Sequence, residues 1–231
     1  MENYKNPPQF VVNKIIDLFN KSQLEQTILL AENVSEQHPK ATILYEILAA
    51  AYLGLNNVNK TIENYNKVLL LNPNSADAHN NLGTIFFDQG KFSESLERFH
   101  KAVELEPSFA DAHYNLGNVY RQLDDLPKAI KSYEIYLAIN SQDIEFLKRF
   151  GDILIECDAF EKAIKCYTKL LKIRPELADT KVYALMGASE LEKGNTTKAI
   201  QYHRQGVASN KASTIFHLLS FKDQVKDMHF M

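Results

Sequence analysis

AHNNLGTIFFDQGKFSESLERFHKAVELEPSFADAHYNLGNVYRQLDDLPKAIKSY, residues 78–133, carries one pattern twice at a spacing of 34. Gly83 and Gly117 are 34 apart; Ser95 and Ala129 follow them by twelve residues, and Phe99 and Tyr133 come four later. Working outward, Ala49 and Gly151 keep the interval of 34, and Gly187 follows after 36. The small residues extend to Thr61, Ala163 and Ala199, and the rings to Tyr65, Tyr167 and His203. Pro39, Pro73 and Pro107 share the interval, Ser141 stands where the next proline would fall, and Pro175 comes two intervals after Pro107. A two-residue insertion between Pro175 and Gly187 explains the drift. A fixed period of this length marks a repeat architecture, in which each unit buries its apolar face against its neighbours.

The spacing has a mechanical meaning. Small residues let two helix backbones approach within about 8–10 Å, and a ring four residues later, on the same helical face, fills the gap to the next pair. Between the two marks lie turn residues: Asn56-Asn57, Gln89-Gly90-Lys91, Asp124-Asp125-Leu126-Pro127 and Lys193-Gly194-Asn195. Gly and Asn tolerate the left-handed conformation that ends a helix, and Pro127 suits the first turn of a new one. Each unit is therefore expected to be a helix, a tight turn and a second helix. The recurring proline, which cannot continue a helix, separates one pair from the next.

Residues 78–133 resemble the tetratricopeptide repeat, and look most like its Asn-Leu-Gly-containing subtype found in O-GlcNAc transferases and many bacterial repeat proteins. The resemblance covers nearly the whole chain and implies an all-α fold, a right-handed superhelical α-solenoid of stacked helix-turn-helix units. Units are expected at about 8–41, 42–75, 76–109, 110–143, 144–179 and 180–213, with a capping helix or the start of a linker over 214–231. The first unit departs most, with Ile15 in place of the small residue, and the sixth has Glu190 where an apolar residue is usual. Atypical ends are expected because terminal repeats face water.

In this family the first helix of each pair lines the concave face. The positions six, three and two residues before each glycine, and one and four after it, are then expected to point inward. They are Asp77, Asn80, Asn81, Thr84 and Phe87; then Asp111, Tyr114, Asn115, Asn118 and Arg121; then Glu145, Lys148, Arg149, Asp152 and Ile155. Asn81 and Asn115 recur one repeat apart, about 10 Å if neighbouring pairs pack at normal distances, close to three residues of extended peptide. An amide both donates and accepts, so such a row can hold a backbone whatever the guest's side chains. The resemblance implies the same, since an asparagine ladder marks the O-GlcNAc transferase superhelix; bridging between helices is the alternative use.

The carboxylate clamp of the family's chaperone-binding members is matched in part, by Asn115 and Arg149. Asn80, Thr84 and Glu145 stand where that clamp expects Lys, Asn and Lys, so carboxylate capture is not expected. Asp77, Asp111, Glu145 and Asp152 instead suggest a lip for a basic or amide-rich guest, with Arg121, Lys148 and Arg149 as an opposing patch. The first three equally suit helix N-termini, where acids complement the macrodipole.

Other chemistries find little support. A net charge of −3 gives no electrostatic reason to expect nucleic acid. The longest apolar stretch, Ile47–Leu55, is about half of the roughly 20 residues a membrane span needs, and the N-terminus lacks a signal-peptide core. A soluble, cytoplasmic protein is expected, for which the three Asn-x-Ser/Thr sequons carry no weight. Cys157 and Cys166 make neither a disulfide framework nor a zinc motif and read as small buried residues. His79 and His113, 34 apart, occupy equivalent packing places and cannot share a metal, while His100 reads as convex surface.

No phosphate-binding glycine loop, His-Glu-x-x-His, Cys-x-x-Cys or Gly-x-Ser-x-Gly occurs. No catalytic residue, metal or cofactor is expected. The sequence points to a scaffold that binds a protein or peptide in its concave groove, with self-association through terminal repeats left open. The alternative is an N-terminal recruiting module of a larger bacterial sulfotransferase, methyltransferase or glycosyltransferase.

Overall fold

The structure, a computed structural model, describes residues 6–174, 177 and 180–209; the helix expected from Thr214 lies outside them. The described residues form twelve helices and no strand. The chain divides after Ile139 into two compact units. The first holds α1 (Gln9–Asn20), α2 (Leu24–Gln37), α3 (Thr42–Gly54), α4 (Val58–Leu71), α5 (Ala76–Asp88), α6 (Phe92–Leu105), α7 (Ala110–Gln122) and α8 (Leu126–Ile139). The second holds α9 (Ile144–Glu156), α10 (Phe160–Ile173), α11 (Thr180–Glu192) and α12 (Thr196–Ser209). Within each unit, consecutive helices pack together.

Six inner turns carry a residue at positive φ: Ser22 at 58°, Asn56 at 56°, Gly90 at 70°, Asp124 at 59°, Asp158 at 54° and Gly194 at 77°. A left-handed residue reverses the chain at a helix end, and Gly, Asn and Asp reach that conformation at least cost. Two of the helices that follow start on side-chain caps: Asn57 accepts from the amide of Lys60, and Asp125 from that of Lys128. Such a cap is worth about 1 kcal/mol. Between pairs, Ser75 caps α5 and Asp143 caps α9 in the same way.

Glycine and ring form a single contact. A Cβ added to Gly83 would lie 2.7 Å from the ring of Phe99, one on Gly151 would lie 2.6 Å from Tyr167, and one on Gly117 would strike three atoms of Tyr133. The ring therefore packs onto its own unit's glycine, whereas the sequence pattern predicted that it fills the gap to the next pair. Helix approach is set from both sides: Ser95, fully buried, donates its hydroxyl to the carbonyl of Gly83 at 2.8 Å. Phe99, Tyr133 and Tyr167 are almost wholly buried, and burying such a side chain is worth about 1.5–3 kcal/mol.

Neighbouring pairs are joined by a recurring polar tie. Tyr45 donates to the carbonyl of Pro39, and the Nε2 atoms of His79 and His113 bond the carbonyls of Pro73 and Pro107 at 3.2 and 2.9 Å. The histidines are thus buried packing groups, and each proline's carbonyl anchors the helix that follows it. Two struts tie the second helix of one pair to the first of the next: Tyr52 donates to Glu32 at 2.6 Å, and His100 Nε2 meets the Tyr120 hydroxyl at 2.8 Å. His100, expected on the surface, is exposed on α6 and also makes this inter-repeat contact.

Candidate protein-interaction surface

The residues expected to line a groove lie on the first helix of each pair, α5, α7 and α9. Asp77, Thr84, Asp111 and Arg121 are exposed; Asn81, Tyr114, Asn115 and Asn118 are half-buried; Asn80 is buried. In the second unit Arg149 is exposed and Lys148 and Asp152 are half-buried. Asp77, Asp111 and Glu145 each sit in the first turn of their helix, where a carboxylate also complements the positive end of the dipole.

In the first unit these side chains form two linked groups. Asn115 on α7 donates its amide N–H to Oδ1 of Asn80 on α5 at 3.0 Å. The bond joins successive first helices and places two amides side by side. Thr84 donates to the backbone carbonyl of Asn80 at 3.2 Å, so its hydroxyl is turned back onto α5. Beside them Tyr114 rests its ring against Tyr133 and Tyr136, with centroids 6.1 and 5.5 Å away.

The other group surrounds Tyr65. Burial pushes the Tyr65 phenol above its ordinary value, the charges of Glu46 and Asp77 add to this, and a hydrogen bond from Asn81 opposes it. Glu46 is itself raised, first by burial and then by Asp77. Two carboxylates and a phenol are therefore held near one another around the Asn81 amide.

In the second unit Tyr167 donates its hydroxyl to Oδ1 of Asp152 at 2.5 Å, and the guanidinium of Arg149 lies 5.9 Å from the Phe146 ring centroid. Cys166 is buried, donates to the carbonyl of Leu147 and has its thiol pushed up to about 12 by burial, as an inert core group does. Cys157 is half-buried at the end of α9.

Sequence reasoning named the amides but missed Glu46 and the tyrosine hydroxyls. Glu46 stands 34 residues before Asn80, so the period alone places it on the same row. Tyr65, Tyr133 and Tyr167 read as core rings, and their hydroxyls, absent from Phe99, were the overlooked signal. A phenol is long enough to fill a helix gap and still reach a polar partner beyond it.

Among the described residues, no helix is long and apolar enough to cross a membrane. A search of curated proteins finds no match to the chain. Solved structures with the same fold include the MamA protein, 23% identical with a TM-score of 0.59 over 76% of this chain and 94% of that one. YrrB, described as a TPR protein with an unusual peptide-binding site, is 21% identical with a TM-score of 0.62 over 79% of this chain and 93% of its own. Pseudomonas aeruginosa pilF is 18% identical with a TM-score of 0.64, over 93% and 96%. A TPR repeat profile matches residues 49–87 and 83–124, and the profile of YpiA-like, C-terminal tetratricopeptide repeats matches 111–176. Together they span 49–176, more than half of the 231 residues, with the glycine, small-residue and ring positions that pack the helix pairs: the chain belongs to the tetratricopeptide repeat family.

Proposed function

We propose that this chain is a protein-interaction scaffold that holds a polypeptide partner on the faces of its first helices, and that it performs no chemistry of its own. The supporting observation is the pair Asn80 and Asn115, which sets two amides side by side on successive helices, next to Asn81 and Asn118. Amides in such a row offer donors and acceptors to a peptide backbone without requiring a particular guest side chain. Extended peptides recognised through their main chain gain affinity from these bonds and specificity from neighbouring side chains. Here the neighbours are Glu46 and Asp77 on one side and Tyr114 on the other, which suits a guest carrying basic or amide groups beside an apolar one.

YrrB's description as peptide-binding is in keeping with this use of the fold. The test is a pull-down with the immobilised chain beside two folded variants, Asn81→Ala/Asn115→Ala in the first unit and Lys148→Ala/Arg149→Ala in the second. A partner held by the wild type and lost from either variant supports binding on the first-helix faces. Equal capture by all three contradicts it.

A further inference from the structure

A net charge of −3 hides an uneven distribution of charge among the second helices of the pairs. α2 carries Glu25, Glu32 and Glu36 and no Lys, Arg or Asp, whereas α10 carries Lys162, Lys165, Lys169 and Lys172 against Glu161 alone. The spacings, 7 and 4 on α2 and 3, 4 and 3 on α10, put each set on one face of its helix. All of these side chains are exposed.

In the first unit the lysines of the second helices lie against nearby carboxylates. Lys60 and Lys67 both pair with Glu63, Lys101 with Glu104 and Lys128 with Asp125, at 2.6–3.1 Å. On α10 the neighbours at three and four residues are mostly other lysines, and Lys165, Lys169 and Lys172 form no ion pair among the described residues. Glu161 is drawn to Lys193 at 3.6 Å. Like charges at these spacings repel and disfavour the helix, so the row opposes folding without a compensating contact among the described residues. α2 is the mirror case. Glu25 and Glu36 have no cation partner among the described residues; Glu32 accepts from Tyr52 at 2.6 Å, and Lys60, whose charge reaches it, is held by Glu63.

The two rows match in length and in apolar content. At a rise of 1.5 Å per residue, Glu25 to Glu36 covers about 16 Å and Lys162 to Lys172 about 15 Å. Leu29, 73% exposed, lies one turn from both Glu25 and Glu32, and Ile173, 40% exposed, lies one turn beyond Lys169. We propose that α2 of one copy docks along α10 of a second copy of this chain, glutamates against lysines, with Leu29 and Ile173 covered in the contact. An anionic membrane or a nucleic acid would satisfy α10 and leave the acidic row of α2 unexplained. Because the two faces differ, the contact is heterologous: each joined pair of copies keeps one free face of each kind, and further copies add to form a ring or an open chain. Both faces belong to second helices, so this inference and the first-helix reading above can fail separately.

Sedimentation velocity of the full chain over a concentration series tests it. At about 0.1 M salt, where charges act over about 10 Å, the mass is expected to rise with concentration past that of a dimer, and at about 1 M, where the range is about 3 Å, to return to that of the monomer. Lys165→Glu/Lys169→Glu/Lys172→Glu makes both faces acidic, and Glu25→Lys/Glu32→Lys/Glu36→Lys makes both basic. Each variant alone is expected to keep the wild-type circular dichroism spectrum and to stay monomeric. Mixed together, they again present unlike faces to each other, and association is expected to return, which a folding defect would not produce.

A wild type that stays monomeric at about 0.1 M salt overturns the inference, and binding of that monomer to anionic vesicles or to nucleic acid would assign the lysines to those ligands instead. Association of either variant alone, or a mixture that stays monomeric, also overturns it. Should a charge-reversed chain fail to fold, unaltered association in the neutral Lys165→Gln/Lys169→Gln/Lys172→Gln variant overturns it, and loss of association there supports it.

Discussion

Gly117→Ala tests the packing rule shared by the repeats of Gly83, Gly117 and Gly151, because helix propensity and the structure give opposite signs. In an isolated helix the change is favourable by about 1 kcal/mol. In this fold the new Cβ would overlap the Cε1, Cδ1 and Cζ atoms of Tyr133, a wholly buried ring whose hydroxyl is bonded to Asn118. The ring cannot turn aside without losing that bond, worth about 1 kcal/mol, and separating the helices costs about 1–3 kcal/mol as overpacking does elsewhere. The propensity gain and the lost bond nearly cancel, so a net destabilisation of about 1–3 kcal/mol is expected. Urea denaturation followed by circular dichroism measures it. A variant as stable as the wild type, or more so, would refute the claim that glycine is required for close approach.

Further outcomes follow from the same contacts. Gly90→Ala meets nothing within 4 Å, so it is expected to cost only the left-handed strain at φ 70°, about 1 kcal/mol, by the same denaturation measurement. Glu46 has its folded-state pKa raised, so the folded protein loses stability as pH rises through that value; Glu46→Gln should raise the midpoint at neutral pH and leave it unchanged in acid. His79 and His100 are lowered below the ordinary imidazole value of 6.5, chiefly by burial, so stability should be full above that value and decline as pH falls below it. His79→Gln should flatten the decline in a pH series of melting temperatures. Cys166, buried with its thiol pushed up to about 12, should resist a thiol reagent in the native protein and react on unfolding.

The helix pairs were legible because their marks are local and recur: a glycine or alanine, a small residue twelve later, a ring four after that. Turn residues were equally readable, since Asn56, Gly90, Asp124 and Gly194 adopt the left-handed conformation for which their side chains are suited. The site was less legible. Period and family placed Asn80, Asn81, Asn115 and Asn118 on one row, but neither says which amide end faces which neighbour. That depends on contacts across helices, such as Tyr133 to Asn118 and Asn115 to Asn80, whose distances a period does not contain. The contact made by exposed His100 was not legible for the same reason, because its partner Tyr120 lies twenty residues away on another helix.

The claim that partners bind on the first-helix faces is tested most directly by site-specific photo-crosslinking in native lysate. A photoreactive phenylalanine analogue is placed at Thr84, exposed on α5, and separately at Leu70, 82% exposed on the second helix α4. A discrete partner adduct from position 84 and none from position 70 is expected. Adducts from position 70 alone, or from neither, would contradict the claim.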